Sequence, residues 1–217
     1  MQTDRVADAL RRFVVGPDEP VEREWVTPNA VTLQTPRYLY RAAPANWLIS
    51  GAAWVDAAIR VLAESDRGDL VPTFGLLFTG PGDPVYLNDV AAMAGLGRRL
   101  HTDLDPLAYA ELLAELHFPT GPEDQPVSRP TVVGKLIPDA AEFAARFPFV
   151  PAEVLAPRPH AMHTGGRITL TFQSYVRYLL PDFGSALDIY DWTVAADDGE
   201  PATWTRILAA ERLEIRG

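Results

Sequence analysis

Two imidazoles stand close together in Pro157-Arg158-Pro159-His160-Ala161-Met162-His163-Thr164-Gly165-Gly166. Histidines at this H-x-x-H spacing can reach one metal ion from a loop, and the glycines let backbone approach a ligand closely. The chemistry implied is that of a metal-dependent hydrolase or another small-molecule enzyme. A carboxylate must complete the ligand set, and Asp182, Asp188 and Asp191 follow in the chain. His160, His163 and Asp191 are the candidate metal residues. The stretch lacks the internal Glu and the helix of the zincin motif. The competing reading is a tight turn that enters a strand with its histidines exposed.

The acidic residues beyond it have simpler explanations. Asp188 and Asp191 fall in a strand at an odd separation, so they face opposite sides of the sheet and make no carboxylate pair. Asp197 and Asp198 suit a turn. Asp191 is the exception: on the face of Leu187 and Ile189 it needs a partner, and Arg177 or Arg206 is within reach of that face. Trp192-Thr193 and Trp204-Thr205 fall opposite each other across the same hairpin. Trp192, Trp204 and Arg177 are therefore the candidate ligand-binding residues.

A third stretch, Leu87-Asn88-Asp89-Val90-Ala91-Ala92-Met93-Ala94-Gly95, resembles the first helix and turn of the helix-turn-helix in LacI-type repressors. Asp89, Val90, Ala91, Ala94 and Gly95 carry the likeness, which implies DNA binding through residues 87–101. The pattern departs at Gly97, where a recognition helix needs its cap, and Asp103 and Asp105 place negative charge where phosphates would approach.

Other chemistries are absent from the sequence. There is no cysteine, so disulfides, thiol nucleophiles and thiolate metal sites are excluded. Thr79-Gly80-Pro81-Gly82-Asp83 lacks the G-K-[ST] ending of a phosphate loop. Ser50-Gly51 and Gly184-Ser185 miss the G-x-S-x-G frame. No catalytic residue and no cofactor can be assigned. Arg37-Tyr38-Leu39-Tyr40-Arg41 interleaves basic and aromatic residues, as an edge strand with solvated arginines would.

These residues need a scaffold. A chain of 217 residues with 47% hydrophobic and 22% charged residues has ordinary globular composition. It suits a single α+β domain over 1–217, with a C-terminal antiparallel sheet of about three to five strands packed against several amphipathic helices. Helices are predicted over Thr3–Val14, Asn46–Ser65 (the strongest by spacing), from Asn88 or Asp89 to Ala94, from Asp105 through Leu116, and over Pro138–Phe147. Gly95 and Gly97 should stop the third. Strands are predicted near Ala30–Thr35, with loops either side where Pro28 and Pro36 fall and Arg37–Tyr40 extending it as an edge, at Val71–Thr79 and at Thr131–Ile137. Thr120–Arg129 reads as a surface loop.

In the C-terminal sheet, Ile168, Leu170, Phe172, Ser174 and Val176 alternate with Thr169, Thr171, Gln173, Tyr175 and Arg177, the mark of a half-buried strand. Leu187–Ala195 is a second strand, Asp197–Glu200 a turn, and Ala202–Ile215 the return strand, with a helix starting at Pro201 as the alternative because Ile207–Glu214 is rich in helix formers.

The formal net charge is −10. It disfavours nucleic acid and suits a basic partner protein. Lys135 is the one lysine among 19 basic residues, a skew that fits a GC-rich bacterial genome. No secretory segment opens the chain and no apolar run is long enough to span a membrane. The resulting expectation is a cytoplasmic protein-interaction module of inhibitor, immunity or adaptor type. Trp25, Tyr38, Tyr40 and Trp204 would be exposed aromatic anchors, and an uncovered edge strand would invite a homodimer.

Overall fold

The computed structural model of the chain describes residues 3–65, 73–116, 133–156, 158–179 and 185–215. They form helices and two antiparallel sheets, an α+β arrangement. No described helix is long and apolar enough to cross a membrane. The chain divides into two compact units, Met1–Met93 and Ala94–Gly217.

In the first unit, α1 (Thr3–Ala9) runs into a π-helical turn over Leu10–Val14. Val6 and Leu10 share a face and are buried, as their spacing predicts. A six-stranded meander follows in the order β1 (Arg23–Thr27), β2 (Ala30–Gln34), β3 (Tyr38–Pro44), β4 (Ala57–Ser65), β5 (Phe74–Phe78) and β6 (Val85–Tyr86). Its core face carries Val31, Leu33, Ala42, Ile59, Val61 and Leu76, which cluster with Val6 and Leu10.

Four readings of this half are corrected. Asn46–Ser65 is not a helix. It is a short 3-10 turn (Leu48–Gly51) followed by β4. Ile59, Val61 and Ala63 are buried while Leu62 and Glu64 are exposed, so the period is two. Pairing with β3 and β5 on either side decides the matter over the helical propensity of alanine and leucine. The loop expected before Ala30 holds β1, joined to β2 through Pro28-Asn29. Residues 38–44 do not extend an edge. The chain turns at Thr35, whose hydroxyl accepts from the Tyr38 N–H at 3.0 Å, and β3 becomes an inner strand. Tyr40, expected outside, is buried at 5% exposure, and its hydroxyl donates to Glu19.

α2 (Val90–Leu96) begins where expected. Asp89 accepts from the Ala92 N–H at 2.7 Å as its cap. Asn88 does something else: it accepts from the Gly75 N–H and donates to the Thr73 carbonyl. Gly95 does not stop α2, which continues past it and tightens into a 3-10 turn over Gly97–His101.

The second unit holds α3 (Pro106–Leu116), β7 (Val133–Ile137), α4 (Ala140–Arg146), β8 (His160–Thr164), β9 (Arg167–Leu179), β10 (Ser185–Asp197) and β11 (Thr203–Ile215). Asp105 caps α3 and Asp139 caps α4, each accepting from amides of the first turn. The sheet has five strands in the order β11-β10-β9-β7, with β8 pairing the remaining length of β9. Phe143 and Phe147 project from α4 onto the Tyr175 ring, beside Leu187 and Ile189. The expected strand ends at 131–132 and the loop 120–129 lie outside the described residues.

Candidate interaction face

The proposed metal residues lie on the sheet as follows. His160 and His163 belong to β8, not to a loop. Gly165 and Gly166, both at positive φ (57° and 81°), close a two-residue hairpin onto β9. His160 pairs with Thr171 and His163 with Ile168, so the two imidazoles point to opposite faces. The Asp191 carboxylate accepts from the Gln173 side chain at 2.8 Å, in place of the expected arginine. Among the described residues no three His, Asp or Glu side chains gather closely enough to hold a metal ion. A groove of about 310 Å³ lies nearby. It is lined by Asp105, Leu107, Pro138, Arg158 and Leu170, among others, and contains neither imidazole.

The proposed ligand-binding residues are similarly distributed. Trp192 is 2% exposed; it stacks on Phe172 with centroids 5.5 Å apart and donates through Nε1 to Ser174. Arg206, not Arg177, covers it, lying 5.5 Å from the Trp192 ring centroid and 5.1 Å from that of Tyr190. Burial among these rings lowers the Arg206 pKa. Trp204 pairs with Val194 on the same face and is half-buried. Arg177, paired with Leu187, belongs to the opposite face. Trp192 with Phe172 and Arg206 forms a packed, internally satisfied stack.

An exposed, chemically distinctive surface lies on the six-stranded sheet. The register sets Trp25 opposite Thr32, Thr32 opposite Arg41, and Arg41 opposite Leu62, one row across β1 to β4. The adjoining row runs Arg23, Gln34, Leu39, Glu64. Side chains two apart on a strand share a face, so both rows form one surface, opposite the core. Trp25 is 44% exposed, Leu39 39% and Leu62 46%. Leu39 and Leu62 are diagonal neighbours across β3 and β4, close enough for their side chains to form a common apolar spot.

Charge is unevenly placed on this surface. Arg23 and Arg41 are exposed, while Glu64 is the one carboxylate in the two rows. Several other arginines are ion-paired: Arg11 pairs with Asp8 and Glu24, Arg12 with Asp83, Arg99 with Asp103, and Arg158 with Asp139. Arg23 and Arg41 have no ion pair among the described residues.

β1 ends the sheet, and all five of its residues are exposed. Its outer main-chain groups face away from β2. The chemistry available here is recognition: an aromatic ring, aliphatic surface, two guanidinium groups and a strand edge.

Sequence reading reached part of this surface. Trp25, Leu39 and Arg41 stood out as exposed or interleaved, whereas Arg23 and Leu62 were missed. The usable signals were Arg-x-Trp at 23–25 and Leu-x-Arg at 39–41, each a period-two outward pair. Leu62 carried no such signal, since an outward leucine looks like core. No protein-family model, curated protein or solved structure matches the chain.

Proposed function

We propose that this protein is a protein-interaction module, of inhibitor, immunity-factor or adaptor type, that acts in the cytoplasm through the open face of its six-stranded sheet. The observation that carries the reading is the joint exposure of Trp25, Leu39 and Leu62 on one sheet face beside Arg23 and Arg41. Tryptophan and arginine are the residue types in which binding energy concentrates, and clustered exposed apolar side chains mark contact surfaces. The five-stranded sheet serves as the structural half, with the helices of residues 94–217 read as its packed backing.

The charge of −10 describes the whole chain and favours a basic partner at long range. Screening confines each charge to about 8 Å at physiological salt. What a docked partner meets is therefore the local arginine, and the partner's contact surface has to answer that.

Affinity capture from the native host tests the reading. Wild-type protein should retain a partner that the Trp25→Ser/Leu62→Ser variant releases, while both proteins unfold at the same temperature. Equal capture by the two would overturn the assignment to this face.

A further inference from the structure

The face and the strand beside it are continuous. β1 pairs with β2 in unbroken register from Arg23↔Gln34 to Thr27↔Ala30, with no bulge. Its outer edge is therefore a straight row of main-chain donors and acceptors, the template an added strand needs. Natural edges are usually blunted by proline, inward charge or a bulge; Arg23–Thr27 contains no proline and no bulge, and its one charge on the core side, Glu24, is paired with Arg11. Arg23 and Trp25 project from this edge onto the open face, and Arg41 lies two strands inward beside them. An occupant that follows β1 thus presents alternate side chains to Arg23 and Trp25.

We propose that β1 and the open face together bind an extended acidic segment of a partner protein, added to the sheet as a further strand. This rests on the interaction reading above and names its ligand. Main-chain hydrogen bonds to β1 hold the segment. Its carboxylates, at every second position, lie on the side of Arg23 and Arg41, while the apolar side chains between them fall on the other face of the strand, where Val26 is exposed. What points to acid is the pair of exposed arginines without a counter-ion among the described residues, in two rows that hold one carboxylate. A single aromatic ring gives no run of platforms for stacked bases, so a single-stranded nucleic acid is the weaker fit.

The test uses the full chain and three probes: a soluble peptide alternating valine with glutamate, the same peptide with lysine for glutamate, and the glutamate peptide N-methylated at alternate amides. The glutamate peptide should bind, and should slow amide exchange at residues 23–27. The N-methylated and lysine peptides should bind about tenfold more weakly or not at all. Arg23→Glu/Arg41→Glu should reverse the preference toward the lysine peptide, a readout that a merely unfolded variant cannot give. Equal binding of all three peptides, protection without involvement of 23–27, or preferential binding of oligo-dT would overturn the proposal. Concentration-dependent dimerisation that itself protects 23–27 would also overturn it, by assigning the edge to a second copy. If a native partner depends on Trp25 and Leu62 but the glutamate peptide does not bind, the interaction face stands and the acidic strand falls.

Discussion

The side chain of Gln173 is shared between the five-stranded sheet and the segment that crosses it. Its Nε2 donates to Asp191 and to the Val154 carbonyl, each at 2.8 Å, and its Oε1 accepts from the Ala156 N–H at 2.7 Å. Gln173 is 4% exposed, so these groups have little water to turn to. Gln173→Ala should cost about 2 kcal/mol, since it removes three hydrogen bonds and takes the donor from the partly buried Val154 carbonyl. Gln173→Glu should be worse at neutral pH, because a carboxylate cannot donate to Val154 or Asp191. Urea unfolding at pH 7 and pH 5 checks both, and Gln173→Glu should recover stability at the lower pH.

Gly97 is required by close packing. A Cβ there would stand 2.3 Å from the Ala202 Cβ and 3.0 Å from the Tyr109 hydroxyl. Gly97→Ala should lose about 1–3 kcal/mol through overpacking. Adding Ala202→Gly to that variant should return part of the loss. A double-mutant cycle by thermal melting tests the coupling, and additive losses would refute it.

Burial raises the Tyr40 phenol from 10.0 to about 12, with the neighbouring Glu19 charge adding to it. The folded state thus holds the neutral phenol more firmly than the unfolded chain does. That stabilisation is complete below pH 10 and disappears as pH climbs from 10 to about 12. Melting temperature should fall through this interval more steeply in wild type than in Tyr40→Phe.

Asp188, 7% exposed, accepts from the Arg212 N–H at 2.8 Å. Arg212 has φ of 50°, a left-handed conformation that non-glycine residues seldom adopt. Asp188→Ala leaves that amide without its acceptor and should cost about 2 kcal/mol. Hydrogen exchange should show the opening concentrated at residues 208–213, and uniform loss of protection would argue against a local role.

Strands whose apolar residues alternate cleanly were legible. Ile168 to Val176 set the inner strand of the second sheet, and the Asp-Gly turn set its neighbour. The helix at Asp105 announced itself through acid before an apolar run, and the helix within Pro138–Phe147 through its inward Phe143 and Phe147, while its Asp139 cap was missed. What misled was residue placement that serves a surface. Leu62 faces outward, and with Leu48 and Trp54 it completed an apparent helical spacing that concealed β4. Pro28 argued against a strand, yet it sits in the turn that creates β1. The histidines were legible as a pair but not as neighbours in a strand, because the Gly165-Gly166 hairpin moves them from loop to sheet. Gln173 was placed on the right strand, but nothing in one sequence says that residues 154 and 156 return to meet it.

The outermost strand of the second sheet, β11, is 13 residues long. An uninterrupted rim of that length would recruit further copies into a growing fibre. Its pairing slips twice, between Leu187 and Ile189 and again between Ile189 and Tyr190 of β10, with left-handed Arg212 at the first slip. A newcomer can therefore follow it only from Thr203 to Leu208 before losing step. The kink guarded by Asp188 keeps a long, partly apolar margin from propagating.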